Sequence, residues 1–150
     1  MLKLIFLLFL FIADISAFDK IYFLPKDNKI AKKEIVNYLK NAKKSIDIAI
    51  YNFSYKKFNK ALDSAIENGV KVTLIYTKSK LNFNKNIDLI KTKRKQHIKL
   101  AIIDDKIAIY GSANWKKESF SKNYEMVNIT NDSYRIDKFK KIIKQLKRTN

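Results

Sequence analysis

Apolar residues recur along this chain at two spacings, every second position or every third and fourth, and turn-forming residues separate the stretches. Ile21–Leu24 is a short apolar run ahead of Pro25 and predicts a first strand. Asp27 or Asn28 can cap a following helix, in which Ala31, Ile35, Leu39 and Ala42 return at helical spacing. Ser45–Tyr51 alternates, with Ile46, Ile48 and Ile50 on one face and Asp47 and Ala49 on the other, which is strand spacing. Ser54 can cap a second helix carrying Phe58, Ala61, Leu62, Ala65 and Ile66. Gly69 stands where a helix C-terminal glycine belongs, because it takes the left-handed conformation without strain. Val70–Tyr76 is rich in β-branched residues and predicts a third strand.

Strands separated by helices need crossover connections, so this part predicts a largely parallel sheet covered by helices. The remainder is richer in strands: a short one at Ile87–Ile90, then Ile98–Ile103, Ile107–Tyr110 and Tyr124–Ile129. Asp132 can cap a last helix that turns Ile136, Phe139, Ile142, Ile143 and Leu146 toward the core. The expected fold class is α/β, a mixed β-sheet flanked by helices.

The first residues read differently. Met1–Ala17 has Lys3, an unbroken apolar run over Leu4–Ala13, and Ile15 and Ala17 where a cleavage site wants small or apolar residues. That is the make-up of a signal peptide, and the run is too short to span a bilayer core comfortably. The expectation is residues 1–17 as a signal peptide, or an uncleaved anchor giving membrane association, and 18–150 as one domain. The protein is then exported, to the periplasm or cell envelope. Removal of the segment takes away Lys3 and Asp14, so the formal charge of +18 is unchanged.

Composition narrows the chemistry. With 32 Lys plus Arg against 14 Asp plus Glu, the chain favours a polyanionic partner, nucleic acid or an anionic membrane surface. Only Arg94, Arg135 and Arg148 are arginines, so part of the charge is also what a lysine-rich solvated surface would carry. There is no Cys, which excludes a disulfide framework and a thiolate metal site. The single His excludes a His–His pair within one chain.

Candidate chemistry lies between His97 and Glu125. His97 and Lys99 are two apart on a predicted strand, so they share a face while Ile98 points to the core. An imidazole beside an ammonium is poor packing but suits a phosphate: Lys99 neutralises charge and His97 attacks or moves a proton. Asp104 ends the strand. Gly111-Ser112-Ala113-Asn114 follows, with a glycine for close backbone approach and two short polar donors for phosphate oxygens. Each element alone is ordinary, and there is no G-x-S-x-G elbow of a serine hydrolase.

Together these residues resemble the phospholipase D superfamily. His97-x-Lys99 with Asp104 fits its H-x-K-x4-D signature (the HKD motif), and Gly111-Ser112-x-Asn114 fits its G-S-x-N. The segments SIDIAIYNFS and GVKVTLIY look like the family's first strands, so the likeness runs from about Ile21 to Thr130. Within the superfamily the chain resembles the small, exported, single-motif bacterial endonucleases.

The resemblance implies a phospholipase D/nuclease-like sandwich and a phosphodiesterase with a phosphohistidine intermediate on His97. Lys99 and Asn114 would clamp the phosphate with help from Ser112. Glu125, in Asn123-Tyr-Glu125, would hold the other ring nitrogen of His97 and fix its tautomer. Asp104 would have a structural or electrostatic role. No metal or other cofactor is implied. The family's reaction uses two histidines, so a chain with one His implies a homodimer sharing one active site.

The substrate is read from charge. Lys78 through Lys99 holds eight basic residues and one acid, with Lys91, Lys93, Arg94 and Lys95 just ahead of His97. Such an approach suits a nucleic-acid backbone, DNA ahead of RNA, with weak sequence preference. Tyr51, Phe53, Phe83 and Trp115 are either core or stacking surfaces for bases, with Trp115 beside Asn114 the first choice to line the site. Two alternatives stand beside the nuclease. A phospholipid hydrolase would want an apolar approach, and a non-catalytic basic nucleic-acid-binding protein would leave His97, Lys99 and Asn114 unexplained.

Overall fold

The computed structural model describes residues 16–150; most of the segment expected to be a signal peptide, Met1–Ile15, lies outside the described residues. The elements follow the order β1 (Asp19–Leu24), α1 (Asn28–Asn41), β2 (Ser45–Asn52), α2 (Lys56–Glu67), β3 (Lys71–Lys78), β4 (Ile87–Lys91), β5 (Lys99–Ile103), β6 (Ile107–Gly111), α3 (Lys117–Ser121), β7 (Glu125–Thr130) and α4 (Ser133–Thr149). Seven strands form one sheet in the order β1-β7-β6-β5-β2-β3-β4. The β2–β3 and β3–β4 pairs are parallel and the other four antiparallel. The expected mixed α/β sheet is therefore present.

Alternation along β2 explains the two layers. Ile46, Ile48 and Ile50 join the larger core, with Ala31, Ile35 and Leu39 of α1 and Phe58, Leu62 and Ala65 of α2. Ala49 turns the other way and packs with Ile75, Leu100, Ile102, Ile136 and Ile143 beneath α4. Ile98 lies against this second cluster, as its position between His97 and Lys99 requires. Each fully buried Ile, Leu or Phe contributes about 1.5–3 kcal/mol of burial, so both layers fix the sheet between them.

Four local readings change. Ser54 does not cap α2; the helix starts at Lys56 behind an extended Tyr55, with no side-chain cap. Asp27 occupies the N-cap of α1, yet its carboxylate accepts from the Phe23 N–H instead of from the helix. Ile142 is 38% exposed because α4 narrows its buried stripe to Ile136 and Ile143, with Phe139 and Leu146 partly covered. The five-residue α3 has no apolar periodicity long enough to announce it. Asp132 does cap α4, accepting from the Arg135 N–H at 2.7 Å, and Gly69 has φ +81° after α2.

Strand direction decides where chemistry can gather. The C-terminal ends of β2, β3, β4 and β6 and the N-terminal ends of β5 and β7 all lie along one edge of the sheet. His97, Lys99, Ser112, Asn114 and Glu125 are all at that edge.

Candidate active site

The segment ahead of β5 crosses from β4 over the ends of β3 and β2, and buried polar side chains hold it there. The Thr92 N–H donates to the Tyr76 carbonyl at 2.9 Å, and the Thr92 and Thr77 hydroxyls are 2.8 Å apart. Gln96, only 9% exposed, accepts from the Ile98 N–H at 2.9 Å and reaches the Ile75 carbonyl with its amide. The Tyr51 N–H then donates to the Ile98 carbonyl. His97 is thus set just before β5, exposed, on a fixed backbone. Thr92 and Gln96 were not among the expected site residues, since one buried polar residue in a basic run gives no sequence signal.

Lys99 Nζ donates to His97 Nδ1 at 2.9 Å and to the His97 carbonyl at 2.9 Å. An ammonium has donors only, so Nδ1 is the acceptor and the ring proton of the neutral imidazole sits on Nε2. Lys99 is 6% exposed, and burial pulls its pKa below the usual lysine value, while the Glu125 carboxylate works against that fall. Glu125 itself accepts from the Asn123 amide at 3.3 Å; the expected bond to the imidazole is not formed, because Lys99 occupies Nδ1.

Gly111 lets the backbones of β6 and β7 approach closely beside these groups. Extending the β5–β6 register by one residue sets it beside Lys99, and its β7 partner is Val127. Its φ is +154°, and a Cβ there would run into the Met126 carbonyl oxygen and come within 3.0 Å of the Met126 carbonyl carbon. Next to it, the Ser112 hydroxyl accepts from the Met126 N–H at 3.0 Å, which leaves its own hydrogen to donate. Asn114 Oδ1 accepts from the Asn52 N–H at 3.1 Å, so its amide nitrogen remains as the donor end.

Trp115 is a correction. It is 4% exposed and packs edge-on against Phe53 and Phe58 at 5.4 and 5.1 Å, so it offers no face to a base. Its carbonyl accepts from the N–H groups of Ser54 and Tyr55, which ties the Gly111–Trp115 segment to the end of β2. The ring is too large and apolar to stay at the surface when Phe53, Phe58 and Phe120 provide a pocket. Phe53 is also core, and Phe83 packs on it. Tyr51 alone of the four faces the site, with its ring centre 5.3 Å from that of His97.

Asp104 stands apart from these groups. It lies at the opposite end of β5, about 17 Å along the strand from Lys99. Its carboxylate accepts from the backbone N–H groups of Lys43, Lys44 and Ser45 at 2.7–3.1 Å. Partial burial would raise its pKa, but these three donors outweigh it and hold the group below the usual carboxylate value. Asp104 and Asp105 have φ of +53° and +56°, and the Lys106 N–H closes the turn on Ile103. That is the hairpin turn with two positive-φ centres, for which Asp is suited.

The basic segment divides. Lys95 Nζ is 5.6 Å from the Tyr51 ring centre, beside Lys99 at 5.9 Å and Lys78 at 5.5 Å. The neighbouring Lys78 ammonium is the main influence pulling the Tyr51 pKa down. Lys91 lines a neighbouring cleft. Arg94 is exposed, and the backbone of Lys93 is engaged away from the site, its N–H donating to Asn150 Oδ1 at the end of α4.

Known proteins share this fold. NucT from Helicobacter pylori superposes with a TM-score of 0.79 at 29% identity, covering 89% of this chain and 98% of that one. Nuc from Salmonella typhimurium, a phospholipase D family member, superposes with a TM-score of 0.74 at 20% identity over 89% and 96% of the two chains. Mitochondrial cardiolipin hydrolase from Homo sapiens is 27% identical over 113 residues, 68% of this chain but only 45% of that protein. The family profile described as "Cardiolipin synthase, PLD-like domain" matches residues 35–147, a stretch that contains His97, Lys99, Ser112, Asn114 and Glu125. The chain accordingly belongs to the phospholipase D-like family of phosphodiesterases.

Proposed function

We propose that this protein is an exported, metal-independent endonuclease that cleaves nucleic acid, DNA ahead of RNA, with little sequence preference. One observation carries the choice of substrate: the ammonium groups of Lys78, Lys95 and Lys99 surround Tyr51 directly beside His97. A polyanionic backbone satisfies such a cluster, and phosphate contacts of this kind carry no base code. Export and any membrane anchoring rest on the make-up of Met1–Ala17.

The chemistry runs in two steps. An incoming phosphate is a stronger acceptor than an imidazole, so it draws the Lys99 ammonium away from Nδ1. The ring proton passes from Nε2 to Nδ1 by exchange with solvent, Glu125 accepts the Nδ1–H hydrogen bond, and the Nε2 lone pair is left free. His97 Nε2 attacks phosphorus, the bond to the leaving oxygen breaks, and an acid protonates that oxygen. Water next attacks the phosphohistidine, giving a proton to the now deprotonated acid, and the P–N bond breaks to release His97. Lys99 neutralises the phosphate oxygens and Asn114 and Ser112 donate hydrogen bonds to them, the task a metal ion performs in other sites. With one His per chain, the acid is the second subunit's copy of His97, in a two-fold homodimer with one shared site.

A second reading, phospholipid hydrolysis, has the name of the cardiolipin hydrolase in its favour. Offering labelled DNA, RNA and cardiolipin vesicles to the protein, beside His97→Ala, separates the two. The nuclease reading expects nucleic-acid cleavage that falls at least about 10³-fold in His97→Ala. Lipid cleavage with intact nucleic acid would replace it.

A further inference from the structure

Next to the site, Asn52, Ser54, Tyr76, Lys78, Lys80 and Lys91 line a cleft of about 510 Å³ at the ends of β2, β3 and β4. Thr77 and Ser79 border it too, but their hydroxyls are engaged with Thr92 and with the Phe53 carbonyl. No acidic residue is among its lining residues. Three ammonium groups without a counter-charge repel one another, and a phosphate would relieve that repulsion through charge-assisted hydrogen bonds.

The cleft shares a wall with the scissile position. Lys78 lines it and also lies over Tyr51, the ring that packs against His97. Asn52 lines it while its N–H holds Asn114. We infer that this cleft is a second phosphate subsite, which takes the phosphodiester adjacent to the scissile one in a polynucleotide. The inference rests on the nuclease reading and deepens it. A substrate with a single diester fills only the His97–Lys99 position. A polynucleotide fills both, and so gains in binding and in orientation at His97.

The test compares a dinucleoside monophosphate with a long oligothymidylate, as substrates of the wild type and of the Lys80→Gln, Lys91→Gln double variant, which leaves Lys78 beside Tyr51 in place. The double variant should lower kcat/KM for the oligothymidylate by about ten-fold and leave the dinucleotide within about two-fold, because only the former reaches the cleft. The salt dependence of oligothymidylate binding should become shallower by about 0.7 for each lost contact. Lys80→Arg with Lys91→Arg should restore the oligothymidylate rate. An equal fall on both substrates, or no fall on the longer one, overturns the subsite. Cardiolipin vesicles, which also carry linked phosphates, serve as competitor: displacement of the oligothymidylate at matched phosphate concentration overturns its assignment to nucleic acid. Should the wild type cleave neither nucleic acid, the nuclease reading fails. The subsite then stands only if the double variant still weakens oligothymidylate binding.

Discussion

Lys99 Nζ sits 2.9 Å from His97 Nδ1, so the group that would clamp a phosphate also holds the group that would attack it. The pair is buried on the lysine side and open on the histidine side. Burial depresses the Lys99 pKa, and the nearby Glu125 carboxylate limits the depression. Lys99 must be charged to serve the phosphate, so kcat/KM should fall on the alkaline side at a pH below the ordinary lysine value of 10.5. Glu125→Gln removes the opposing charge and should move that limb to still lower pH. It should also cost about 10²–10⁴-fold in rate, the range for losing a tautomer-fixing carboxylate. A pH–rate profile of both proteins checks the pair; an unmoved limb would separate Glu125 from Lys99.

Asp104 should matter for stability and not for cleavage. Its carboxylate takes three backbone N–H bonds from the α1–β2 connection, and Asp104→Asn leaves that charge out while keeping the shape. The cost should be about 2 kcal/mol, typical of hydrogen bonds to a charged group. The folded-state pKa lies below the ordinary 3.8, so the contribution is complete above that pH and is lost as pH falls through the folded value. Urea unfolding at neutral and acidic pH should show wild type and variant converging in acid. Reduced cleavage by folded Asp104→Asn would return Asp104 to the site.

Much of the architecture was legible because its signals are local. Ile46, Ile48 and Ile50 on one face of β2, and Asp132 at the head of α4, are readable without knowing what they touch. Site membership was legible where spacing carried it, as with His97, Lys99 and Asn114. Asp104 belongs to the same motif, but five strand residues put it at the far edge, a separation that depends on where β5 starts and stops. Trp115 was misread because its partners, Phe53, Phe58 and Phe120, are remote in sequence. Lys78 and Gln96 reach the site through strand order, which no single segment records.

Gly111→Ala tests the backbone that carries Ser112 and Asn114. A methyl group has no room against Met126, so β6 and β7 must part or the segment must shift. Thermal unfolding should show a loss of several kcal/mol, above the usual ~1 kcal/mol of a point change. Any folded fraction should have a lowered kcat. A variant as stable and active as wild type would mean that the close approach is not needed.

The proposed sharing of one site by two copies of His97 would have a kinetic signature. Mixing wild type with an excess of His97→Ala, after exchange of subunits, should suppress activity below that of the wild-type portion alone, because mixed dimers hold one histidine. Light scattering should give a dimer at the assay concentration. Full activity in a monomer would contradict the composite site.

The central claim is that His97 and Lys99 together cleave nucleic acid without a metal ion. The direct measurement is plasmid DNA incubated with the purified protein in excess EDTA, beside His97→Ala and Lys99→Ala. The account predicts nicking and fragmentation that persist in EDTA and vanish in both variants. DNA that is bound but left intact by folded wild-type protein, or cleavage that survives either substitution, would contradict it.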